Sequence, residues 1–117
     1  MIEGRINGLG CASKGKLCPT GKNDPHVLLE RDFVVQTADG HYFYITNIDW
    51  KTKLKYVLRT VRVVGQFSDR SSAIAADELW VKQADDYKLM WSLEMAREKQ
   101  RRDQKIWEQQ RLHQQNY

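Results

Sequence analysis

The last third of the chain is rich in charge, free of glycine and proline, and nearly empty of residues that could bury it. From Arg97 to Tyr117 only Ile106, Trp107, Leu112 and Tyr117 are large and apolar, and no continuous seam joins them. Helix propensity is nonetheless high throughout, and Glu98–Arg102 and Glu108–Arg111 are spaced to support one another on a helix. A helix of this composition either projects from the body or waits for a partner. Unbroken from Ser72 to Asn116 it would span roughly 65 Å at 1.5 Å per residue, far longer than a small sheet beneath it.

Upstream, Ala76, Trp80, Ala84, Tyr87, Trp91 and Met95 recur at spacings of three and four, flanked by Leu79, Met90 and Leu93. The pattern predicts the apolar stripe of a helix laid on a sheet. Ser68–Ser72 and Asp69 supply capping groups, Asp77 and Glu78 suit a helix start, and Ala84-Asp85-Asp86 marks the expected break into two helices.

The sheet is expected just before this helix. Val27–Thr37 is rich in apolar and β-branched residues, and His41–Ile48 alternates Tyr42, Tyr44 and Thr46 against Phe43, Ile45 and Asn47. Between them Ala38-Asp39-Gly40 carries the Asp-Gly pair of a tight hairpin. Asp49–Lys53 is read as a polar connection, and Leu54–Val64 as a third strand ended by Gly65. Residues 1–26 read as an irregular basic, glycine-rich arm. Gly4, Gly8, Gly10, Gly15, Gly21, Pro19 and Pro25 leave no window for regular structure, and Asn23-Asp24-Pro25 signals a turn. Ile2-Glu3-Gly4-Arg5 also spells the recognition site of a clotting protease used to remove affinity tags, and so receives no functional weight.

The expected fold is thus α+β: a small antiparallel three-stranded meander packed by a long C-terminal helix that extends beyond it. Residues 1–26 form the arm, 27–96 the core domain and 97–117 the charged helical extension. Composition is that of one ordinary globular domain of 117 residues. No apolar run approaches the roughly 20 residues needed to cross a bilayer, and no secretory signal opens the chain, so a cytoplasmic setting and no membrane partner are expected. The formal charge of +4 is uneven: residues 68–96 hold three basic against six acidic side chains, and 97–117 hold six against three.

Motifs for chemistry are weak. Gly10-Cys11-Ala12-Ser13-Lys14-Gly15-Lys16 fits the glycine-and-lysine pattern of a phosphate loop, but Leu17 stands where a magnesium-binding hydroxyl belongs and Pro19 blocks the following helix. Cys11 and Cys18 have six residues between them, wider than usual zinc pairs; with His26 and His41 they would make a four-ligand set, and a disulfide would close a small loop, yet two free thiols are the expectation. His41 has Asp39 and Asp49 at the ends of its strand and no third partner for acid–base work. No catalytic residue, metal or cofactor is therefore assigned, and the chain is read as non-enzymatic.

Two binding surfaces are predicted. Arg97, Arg101, Arg102, Ile106, Trp107, Arg111 and Leu112 make the C-terminal helix a docking element for a larger protein or nucleoprotein assembly, with the basic arm assisting. Such a protein would be an inhibitor, an adaptor or a structural subunit, a plan similar in size and layout to small accessory proteins of phage or organelle assembly. The alternative is direct nucleic-acid binding through Lys14, Lys16, Lys51, Lys53, Lys55, Arg59 and Arg62, with Tyr42, Tyr44, Trp50 and Tyr56 interleaved for base stacking. Lysines guarding a sheet edge would explain part of that set. Homodimerisation through the helix is a third expectation.

Overall fold

The computed structural model describes residues 1–18 and 26–115, with side chains from 27 onward described as far as 111. The turn expected at Asn23-Asp24-Pro25, and the side chains of His26 and Leu112, lie outside the described residues. Along the chain run β1 (Ile2–Gly8), α1 (Leu9–Ser13), α2 (His26–Leu29), β2 (Phe33–Gln36), β3 (Tyr42–Ile45), α3 (Trp50–Lys55), β4 (Thr60–Ser68), β5 (Ala73–Gln83), β6 (Asp86–Ser92) and α4 (Leu93–Gln115).

Five strands close a barrel, and this overturns the three-stranded meander. The order is β3-β2-β1-β4-β5, and β3 returns to pair in parallel with β5, Tyr44 opposite Ala73 and Ile45 opposite Ile74. β6 lies outside the ring, antiparallel to β5. Closure removes the open edges that a meander would expose. The α+β content stands; the architecture does not.

Inward-facing residues explain why the ring closes. Ile6, Phe33, Val35, Ile45, Val61, Val63, Ile74, Ala76, Leu79 and Val81 fill it from all five strands, with Ile48 and Tyr56 added from the segments around α3. Each large aliphatic or aromatic side chain removed from water contributes about 1.5–3 kcal/mol, so the barrel interior is the main source of stability. α3 stops one end: the Trp50 ring lies 5.5 Å from that of Phe33, and its indole N–H donates to the Glu30 carbonyl at 2.9 Å.

The local expectations fail where tertiary pairing outweighs local pattern. The residues read as an irregular arm contain β1, held on one side by β2 (Arg5–Gln36 to Gly8–Phe33) and on the other by β4 (Ile2–Val63 to Arg5–Thr60). Ile2–Arg5 is therefore the first half of a strand that runs between two neighbours, with Arg5 itself paired on both sides. The strand expected over 27–37 is α2 followed by β2, and the third strand expected over 54–64 is the end of α3, a turn and the start of β4. The largest difference is over 72–92, expected as helix and found as β5 and β6, with Ala84-Asp85 as their turn. Ala84 takes φ 54°, the left-handed conformation of a tight hairpin.

A bulge produced that error. Val64 pairs with Glu78 but Gly65 pairs with Ala76, so β5 carries one extra residue at Asp77. Inward residues thus fall at 74, 76, 79 and 81, and the step of three imitates a helical period. Gly65, read as a strand terminus, is the partner of the bulge: a Cβ there would stand 2.0 Å from the Ala75 carbonyl oxygen. The hairpin expected at Asp39-Gly40 is present, with Gly40 at φ 91° and its N–H donating to Thr37.

Candidate functional site

α4 begins on the barrel and leaves it at once. The Ser92 hydroxyl accepts the Met95 backbone N–H at 3.1 Å, an N-cap that starts the helix where β6 ends. Leu93 and Ala96 are half-buried, and every residue from Arg97 to Arg111 is exposed. At 23 residues the helix is about 35 Å long, within a molecule 59 Å in its longest dimension. The extension expected over 97–117 is thus helical as far as it is described, although the helix begins at Leu93 and not within a preceding helical core.

Its side chains form two regions. Near the base, Arg97 and Arg101 share an open cleft with Asp77, Glu78, Ser92 and Glu94, so the acidic bulge of β5 faces the first basic turn of α4. Farther out, Arg102 and Lys105 lie between Glu98 and Glu108 along one side. Ile106 and Trp107 stand free of the barrel, Trp107 with 72% of its surface in water. Two large apolar side chains held in solvent on a stretch of helix that is exposed at every residue from Arg97 to Arg111 suit insertion into another surface.

The alternative basic set does not come together. Lys14 and Lys16 are exposed after α1, Lys51 and Lys55 are exposed on α3, and Arg59 is exposed with its guanidinium donating to the Lys82 carbonyl at 3.0 Å. Lys53 is no surface lysine: it is 4% exposed, and its Nζ lies 2.5 Å from Asp32 Oδ1 and 3.3 Å from the Ile45 carbonyl. Arg62 is also engaged, its Nε on Glu3 Oε2 at 2.9 Å and its guanidinium 3.8 Å over the Tyr87 ring. That hydrogen bond from Arg62 holds the Glu3 carboxyl below its usual pKa, and Glu3 in turn raises that of Arg62. Trp50 and Tyr56 are packed into the barrel end, where their rings serve the core.

A different polar face is assembled instead, on the outside of β1–β2–β3. Arg5, Gln36 and Tyr42 form one cross-strand rung, and Asn7, Val34 and Tyr44 the next. Tyr42 and Tyr44 meet edge to face at 6.2 Å, both half-buried. The loop after α1 folds over the inner end of the second rung, where Asn7 and Val34 are fully buried, and Asn7 Nδ2 donates to the Lys16 carbonyl at 2.8 Å and to Gln36 Oε1 at 2.9 Å. Arg5 is a member that sequence reasoning missed. Its signal is the alternation Glu3, Arg5, Asn7 against Ile2, Gly4, Ile6, which the glycines obscure.

Beneath that loop lies the one group, among the described residues, of three side chains able to share a metal ion: Cys11, Cys18 and Glu30, with donor atoms all within 4.8 Å of one another. Both cysteines are buried thiols. Burial, with Cys18 and Glu30 alongside, pushes the Cys11 thiol up to about 12. His41, the histidine weighed for such a site, is instead in the exposed β2–β3 turn, its Nδ1 3.2 Å from Asp39 Oδ2. No described helix is long and apolar enough to cross a membrane.

A closed five-stranded barrel with a sixth strand outside and a helix projecting from it is the class that these elements define. No protein-family model, curated protein or solved structure matches the chain.

Proposed function

We propose that the protein is a non-enzymatic binding protein whose barrel presents α4 to a larger protein or nucleoprotein assembly. The observation that carries this reading is the run Arg97–Arg111, exposed at every residue and displaying Trp107 and Ile106. Most helices in proteins draw their stability from packing an apolar face, which the described part of α4 beyond Ala96 does not do, and a partner would supply that packing. Six basic against three acidic side chains over the same stretch select a partner groove that is apolar at its centre and acidic at its rim. Arg97, Arg101, Arg102 and Arg111 supply the rim contacts, and Ile106 and Trp107 the anchors. A reducing, cytoplasmic setting belongs to this proposal, and it fits two buried cysteines standing as thiols.

The test is affinity capture and crosslinking with the full chain against Trp107→Ala and Ile106→Asp. A partner retained by the parent and lost by both variants, at unchanged melting temperature, supports the reading. Identical captured sets would sink it. Sedimentation of the parent across a concentration series separates an external partner from self-association through α4.

A second reading is favoured by the β1–β2–β3 face. Tyr42 and Tyr44, on the rungs that also carry Arg5 and Asn7, offer rings for bases, and the exposed Arg5 offers a cation for phosphates. The five-stranded Greek-key plan is similar to that of barrels which bind oligonucleotides on their strand 2–3 face, a plan that also hosts many unrelated functions. Fluorescence anisotropy with single-stranded oligonucleotides at about 50 and 200 mM salt tests it. Binding that falls steeply with salt, and with Arg5→Glu and Tyr44→Ala, would move the proposal to this face; no binding at the lower salt removes it.

A further inference from the structure

The structure points to a metal site that the wide cysteine spacing conceals: we infer that Cys11, Cys18 and Glu30 bind one zinc-class divalent ion beneath the β1–β2 connection. The three residues come from separate places. Cys11 lies on α1, Cys18 on the loop that returns from it, and Glu30 follows α2. A turn of helix between the cysteines brings the chain back on itself, so six intervening residues here achieve what two to four achieve in a tight knuckle.

Distances fit an ion. Cys11 Sγ stands 3.5 Å and Cys18 Sγ 3.8 Å from Glu30 Oε1. A tetrahedral ion with bonds of about 2.3 Å to sulfur and 2.1 Å to oxygen places sulfur and oxygen about 3.6 Å apart, so both edges are already near the bound geometry. Two thiolates with one carboxylate form a borderline-soft donor set, which suits zinc better than magnesium or calcium. The fourth coordination position is left to water or another ligand.

The surroundings are built to hold these groups. Glu30 is only 9% exposed, and its Oε2 accepts the Gly10 backbone N–H at 2.8 Å, which turns Oε1 toward both sulfurs. Asn7, fully buried, accepts the Cys18 and Gly8 backbone N–H groups at 3.0 Å each through Oδ1, and so fixes the returning loop. Gly8 leaves the room: a Cβ there would stand 2.6 Å from Cys18 Sγ and 2.5 Å from Glu30 Cγ. Backbone donors orienting a carboxylate around two thiols are the outer shell that metal sites use to aim their ligands. A bound ion would replace the thiol protons and tie α1, the loop and α2 to the barrel.

The experiment is titration of the reduced full chain with Co²⁺, read by the thiolate-to-cobalt absorption band, followed by Zn²⁺ competition and metal analysis. One equivalent should bind with a tetrahedral thiolate spectrum, and one equivalent of Zn²⁺ should displace it and raise the melting temperature. Cys11→Ser and Cys18→Ser should each weaken the charge-transfer band and lower affinity by at least about tenfold. Glu30→Gln keeps the shape of the site should a cysteine variant fail to fold, and should lower affinity by a similar factor. Absence of a one-equivalent thiolate band in the parent overturns the assignment. So does cobalt affinity unchanged in Glu30→Gln and in whichever cysteine variants fold.

Discussion

Replacing Asp32 by Asn would leave the Lys53 ammonium inside the protein without its counter-charge. Lys53 is 4% exposed, and its Nζ contacts only Asp32 and the Ile45 carbonyl among its described partners. Removing one member of a buried pair costs about 3–5 kcal/mol, because a charge stays behind desolvated. The Asp32 side chain is 33% exposed, so water reaches the site and the expected cost falls to about 2–3 kcal/mol. For a domain of this size that is a fall of roughly 8–15 °C in melting temperature. Lys53→Met should cost less, since Asp32 then hydrates, and the double variant should lie within about 1 kcal/mol of the parent. Urea unfolding of all four proteins at constant m value measures the cycle. A cost under about 0.5 kcal/mol for Asp32→Asn would mean that Lys53 behaves as the surface lysine the sequence suggests. The seating of α3 against the barrel would then be wrong as well.

Gly65→Ala drives a Cβ against the Ala75 carbonyl and should cost at least about 2 kcal/mol, with faster hydrogen exchange along β4 and β5. Ser92→Ala removes the α4 cap and should lower helical circular dichroism by loosening the first turn, while barrel melting stays within about 1 kcal/mol of the parent. Trp107→Ala should leave stability unchanged within about 0.5 kcal/mol, measured by thermal melting, because the ring touches no core. The Glu3 carboxyl, held down by Arg62, should titrate in NMR below the ordinary glutamate range. Its depressed pKa means that its contribution to folding is complete at neutral pH and is lost as pH falls through the lowered value; Arg62→Gln should return the midpoint toward normal.

The sequence made some of this legible and hid the rest for identifiable reasons. The Asp39-Gly40 hairpin and the exposed helix around Trp107 depend on local chemistry, and both are present. β1 depends on partners some thirty and sixty residues away, so its glycines look like breakers until β2 and β4 are beside it. β5 and β6 were disguised by Asp77, whose insertion turns a two-residue alternation into a three-residue step, and by Trp80, Tyr87 and Trp91, which then complete a false helical stripe. Lys53 falls in with Lys51 and Lys55 when Asp49–Lys53 is read as a polar connection leading into a strand; on the helix α3 it turns inward. The Cys11–Cys18–Glu30 cluster needed a carboxylate twelve residues past the second cysteine, and nothing in the sequence marks Glu30 apart from the other acids.

The strand Ile2–Gly8 gives the molecule an internal clock for its own opening. Arg5, the residue after which a protease specific for Ile-Glu-Gly-Arg cuts, is paired with Gln36 on one side and Thr60 on the other. Its side chain is exposed, but its backbone is at the centre of the sheet, and a protease must draw several residues out into an extended, unpaired conformation. Cleavage at Arg5 therefore demands that the barrel part along two seams at once. When opening and reclosing are fast relative to cutting, the cleavage rate measures the population of the opened barrel. Ions or partners that tighten the fold would be read as a slower cut, with no label and no change to the chain.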